Sequence, residues 1–147
     1  MKCCCAADRS VSVTSYGPVN EASQYAMFTV TAIEGYKLDL QLQAATSGTA
    51  ATRGGFTFEY STDGSNWTTY TWNGSTGDQP TVPASGKVYV RVDIAGEHDT
   101  VNEADETFAL TATGSASSGS ATTTLVDDGN GTLYTGAVAT GTPVTGT

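Results

Sequence analysis

The chain reads as an all-β protein, an antiparallel immunoglobulin-like (Ig-like) β-sandwich of roughly seven to nine strands. Three observations predict it. Apolar and polar residues alternate in short runs, as in Val88-Tyr89-Val90-Arg91-Val92 and Leu38-Asp39-Leu40-Gln41-Leu42, which is the pattern of a strand with one buried face. Turn-forming clusters recur about every 8–12 residues. No stretch carries the 3.6-residue apolar stripe of an amphipathic helix.

Val11 and Val13 open the first strand, which Gly17-Pro18 closes. Tyr25 to Ile33 follows, then Leu38, Leu40 and Leu42 with a wet face between them. Small polar residues make 44–55 a loop. Phe56, Phe58 and Tyr60 alternate next, and the turn chemistry of Asp63-Gly64-Ser65-Asn66 predicts a hairpin returning through Trp67 to Trp72. The stretch 73–85, with two prolines, reads as a loop. Val88 to Ile94 is the cleanest strand; Phe108, Leu110 and Ala112 form another. Ser115 to Ser120 reads as a turn, and Ala121 to Val126 as the last strand.

Composition narrows the function. Six basic against fifteen acidic residues give a formal charge of −9 and a pI near 4.2. Such a surface repels nucleic acid and anionic membranes and attracts divalent cations. No apolar run is long enough to cross a bilayer, and no secretory signal with a hydrophobic region is evident, so export would use a signal elsewhere or none at the N-terminus. The three cysteines are consecutive, Cys3-Cys4-Cys5, leaving the body free of disulfides. Residues 1–7 are read as a tag or cloning remnant. Residues 8–129 form the domain, and the Gly/Thr-rich 130–147 is a linker or the start of a following repeat.

Charge is concentrated in one place. Glu97, Asp99, Glu103, Asp105 and Glu106 put five carboxylates into ten residues of a chain only 14% charged. Two flanking strands make this segment a loop. Like charges so close repel unless a cation gathers them, and Ca²⁺ accepts many oxygen ligands in irregular geometry. Glu21 and the pair Asp127-Asp128 also adjoin strands. Asp127 and Asp128 reach the same end of a sandwich if the last strand runs antiparallel to the one leaving the acidic loop. The ligands would then come from distant segments.

These residues resemble the Calx-beta pattern. The run Asp99-Thr100-Val101-Asn102-Glu103-Ala104-Asp105-Glu106-Thr107-Phe108, the strand closing at Asp127-Asp128, and Glu21 after Val19-Asn20 follow its order and spacing. The phrase Tyr60-Ser61-Thr62-Asp63-Gly64-Ser65-Asn66-Trp67, followed by Val88-Tyr89-Val90-Arg91-Val92, resembles the extender repeats of long bacterial RTX adhesins. The similarity spans about Val11 to Gly129. It implies Ca²⁺ bound at one loop pole, with Glu21, Asp99, Glu103, Asp105, Glu106, Asp127 and Asp128 as ligands. It further implies a secreted adhesin at the bacterial cell surface, exported by a type I pathway, with adjacent copies of the same repeat as partners. The family's mid-chain Asp-Tyr is missing near Gly54-Gly55-Phe56, and Gly129 stands where a third Asp would.

Other residues invite alternatives. Trp67, Tyr70 and Trp72 would serve a carbohydrate- or surface-binding module, although alternation sends neighbouring aromatics to opposite faces. His98, the only histidine, has no nucleophile in a recognisable context. Paired carboxylates suit glycoside hydrolysis, but a thin sandwich offers no cleft for it. A structural, non-enzymatic role is expected.

Overall fold

The computed structural model describes residues 10–20, 23–43, 57–71, 78–94, 105–114, 117–126 and 133. The remainder, including nearly all of 1–9 and 130–147, lies outside the described residues. Among those described there is no helix; the elements are β1 (Ser12–Ser15), β2 (Val19–Asn20), β3 (Tyr25–Thr31), β4 (Asp39–Gln43), β5 (Phe58–Ser61), β6 (Thr68–Thr69), β7 (Lys87–Asp93), β8 (Glu106–Thr113) and β9 (Ser118–Val126).

Two sheets result, ordered β1-β3-β7-β5-β6 and β2-β9-β8-β4. The first, second, fifth and fourth main strands on one layer, with the third, sixth and seventh on the other, make an immunoglobulin-type sandwich. Inward residues alternate with outward ones as expected: Val88, Val90 and Val92 are fully buried between exposed or half-buried neighbours. Phe28 and Phe108 meet edge-to-face across the layers, ring centres 6.1 Å apart, in the geometry aromatic rings favour.

One pairing departs from the all-antiparallel expectation. Strand β2 runs parallel to β9, with Val19 beside Leu125 and Asn20 beside Val126. β1 and β2 are one extended segment that changes sheets. Gly17, at φ 85°, supplies a left-handed kink that glycine adopts without strain. Pro18 follows with no N–H to give a ladder. The hydroxyl of buried Thr123 donates to Gly17 O at 3.2 Å and fixes the crossing.

Three segments differ from the sequence reading. Ser118 to Ser120, read as turn, are strand residues paired with Thr113, Ala112 and Thr111; their outward positions are wet, so no apolar alternation marked them. The return strand of the Asp63 hairpin is only Thr68–Thr69. The stretch read as loop from 73 includes a bridge between Thr81 and Lys37, and Leu38 N donates to Pro80 O. That segment covers part of the β4 edge, protecting otherwise unpaired backbone groups.

The strands define two poles. Near one lie the end of β2, the start of β3, the end of β7, the start of β8 and the end of β9, since Tyr25 pairs with Asp93, Glu106 with Leu125 and Asn20 with Val126. At the other, Ser12 pairs with Thr31, and Thr113 with Ser118. The domain's first strand therefore starts at one pole and its last ends at the opposite one.

Candidate functional site

Of the carboxylates predicted as ligands, Asp105 and Glu106 are described; Glu21, Asp99, Glu103, Asp127 and Asp128 lie outside the described residues. Asp105 is exposed, while Glu106 is buried at 5% exposure. Glu106 opens β8 on the same inward parity as Phe108 and Leu110, so the sheet holds it rigidly. Two further buried polar side chains lie at the same pole, Asn20 at 0% and Ser23 at 1% exposure. Ser23 N donates to Asn20 O at 2.8 Å, and the Ser23 hydroxyl to Tyr25 O at 2.6 Å. Ile94 N donates to Gln24 O at 3.1 Å.

These bonds and the strand register bring the described residues that flank the predicted ligands in sequence to one pole. Asn20 precedes Glu21, Ile94 and Asp105 bracket the acidic loop, and Val126 precedes Asp127. Strand β9 runs antiparallel to β8, so Val126 and Glu106 lie at one pole. The buried Glu106 carboxylate is a hard oxygen donor of the kind Ca²⁺ takes. Among the described residues alone, no three His, Cys, Asp or Glu side chains cluster as a metal site.

The aromatic residues divide between the two sides of the first sheet. Tyr70 packs inward: its ring stacks on Phe58 at 5.0 Å and meets Tyr60 edge-on at 6.1 Å. Its hydroxyl accepts from Leu40 N at 2.9 Å, linking the open sides of both sheets. Burial first, then the nearby carboxylate of Asp39, raise its pKa against the lowering effect of the Leu40 bond. Trp67 lies outward. There the Arg91 guanidinium sits 4.3 Å from the Tyr25 ring centre and 4.4 Å from that of Trp67, with its Nε 2.7 Å from Glu59 Oε1. Trp67 and Tyr70 therefore share no platform, and Trp72 lies outside the described residues, as does His98. Sequence alone hides the Tyr25–Arg91–Trp67 group because it depends on strand order. The usable signal was Arg91 at an outward position between two buried valines.

A tight turn closes β5. Asp63 accepts from Ser65 N and Asn66 N at 2.8 Å, from Asn66 Nδ2 at 2.6 Å and from the Ser61 hydroxyl at 2.9 Å. These bonds, the Asn66 backbone first, hold its carboxyl well below the ordinary range.

The fold thus belongs to the class of immunoglobulin-type sandwiches with a polar pole at the ends of β2, β8 and β9. No family model and no curated protein matches the chain. Among solved structures, it is similar to AggA, the major subunit of aggregative adherence fimbriae type I from Escherichia coli. The identity is 14% and the TM-score 0.44, over 79% of this chain and 93% of that one.

Proposed function

We propose that this domain is a calcium-stabilised spacer of a larger extracellular bacterial adhesin, set between copies of itself. The supporting observation is the meeting of Asn20, Glu106 and Val126 at one pole, while the first strand starts at the other. The proposed carboxylate ligands follow or precede those strand ends in sequence, and an ion that gathers them would stabilise the folded state by linkage. Opposite entry and exit suit modules strung end to end. Secretion by a type I pathway and the adhesin context follow from the RTX resemblance.

Thermal melting tests this. With a Kd of about 10⁻⁴ M, typical of weak extracellular sites, 10 mM Ca²⁺ adds about 2.7 kcal/mol. That corresponds to a rise on the order of 8 °C over the EDTA sample. A shift below about 2 °C would remove the metal from the account.

A further inference from the structure

At the pole away from Glu106, a cavity of about 430 Å³ opens on the β4–β8 side of the sandwich. Tyr36, Lys37, Asp39, Gln79, Thr113 and Gly114 line it. Its size falls within the ordinary range of small-molecule sites. Two features show that its shape is specified. Gln79 has φ 51° and is the only non-glycine residue with positive φ among those described. Such backbone persists only where the surroundings impose it. From that position its amide Nε2 donates to Asp39 Oδ2 at 3.2 Å, aligning an amide and a carboxylate at the mouth. The second feature is Gly114, whose Cα lies against the Tyr36 ring so closely that a Cβ would stand 2.5 Å from it. Any larger residue there would push the ring from its place.

Beyond the mouth, the outer face of β4, β8 and β9 continues the same chemistry. Register places Gln41 beside Thr111 and Ser120, and Gln43 beside Ala109 and Thr122. Thr111 donates to Ser120 Oγ at 3.3 Å. Asp39 is the only charged residue among the outward positions of these three strands, in a protein of net charge −9. The cavity lining holds one cation, Lys37, and one anion, Asp39, among amide and hydroxyl groups. A ligand matching it is uncharged and rich in groups that both donate and accept. A ligand matching the adjoining strip must also be long.

We infer that this cavity and strip bind a neutral polysaccharide, with one sugar unit held against the hydrogen-bonded Asp39–Gln79 pair and the chain lying along Thr111 and Ser120. The site is separate from the acidic pole and independent of calcium. A printed glycan array probed with the whole chain in EDTA tests it. Capture of neutral glycans, weakened at least tenfold by Gln79→Gly and by Asp39→Asn and unchanged by Trp67→Ala, supports the site. Gln79→Gly keeps the left-handed backbone while deleting the amide, so its loss of binding would not reflect misfolding. No neutral glycan captured, or equal capture by both variants, overturns it. Either result leaves the calcium melting experiment unaffected.

Discussion

The two poles of the sandwich differ in the polar side chains they bury. At the cavity end, short turns close the strands through backbone bonds: Ala32 N to Gly86 O, Gly35 N to Val82 O, and Gly114 N to Ser117 O, all between 2.8 and 3.0 Å. At the other end, two backbone bonds, Ser23 N to Asn20 O and Ile94 N to Gln24 O, are accompanied by the buried polar side chains of Asn20, Ser23 and Glu106. A pole closed by backbone geometry is indifferent to its ionic surroundings. A pole that also buries an ionisable side chain, Glu106, depends on what neutralises it. The same fold thus joins an autonomous end to a conditional one.

The largest test of that contrast is at Glu106. In Glu106→Gln, the calcium-induced rise in melting temperature should fall by at least half, while Asp39→Asn at the other pole should leave it unchanged. Differential scanning calorimetry with and without EDTA reads both. An equal calcium response in wild type and Glu106→Gln would detach the metal from this pole.

The autonomous end is open to a steric test. A Cβ on Gly119 would run into Val11 O where β1 crosses β9. Gly119→Ala should cost about 1–3 kcal/mol through overpacking, seen as a lower urea midpoint. Because backbone closes this end, calcium should not restore the loss.

Much of this architecture was legible in the sequence, for identifiable reasons. Strands β3, β4, β7 and β8 each bury one alternating face, so Phe28, Leu40, Val90 and Leu110 announced themselves. Strand β2 did not, because two residues after a proline carry no period and their parallel partner is over a hundred positions away. Glu106 was legible as a candidate ligand from local charge density. Its burial was not, since that depends on β9 lying alongside. The Asp39–Gln79 pair was hidden for the same reason, being 40 residues apart.

Between the poles, Tyr70 ties the β4 edge to the opposite layer. Tyr70→Phe should lower stability by about 1 kcal/mol, the net worth of one hydrogen bond, measured by chemical denaturation. Since its pKa is raised in the fold, the neutral phenol is the favoured form. Its contribution is therefore complete below the ordinary value of 10.0 and fades as pH rises through the folded value.

The smallest effect belongs to the Asp63 turn. A depressed carboxyl contributes stability above its ordinary pKa of 3.8 and loses it as pH falls toward the folded value. Asp63→Asn should melt slightly below wild type at pH 7, and the gap should close on acidification. A constant gap from pH 7 to pH 2 would show that the carboxylate's charge contributes nothing.

The sheet change at Gly17 has a mechanical consequence. β2 and β9 lie side by side in the same direction, one early and one late in the chain. Tension applied through the two ends drags them oppositely along their length. Their cross-links, and the four-residue ladder of β1 on β3, then slide collectively under load and are not unzipped one at a time.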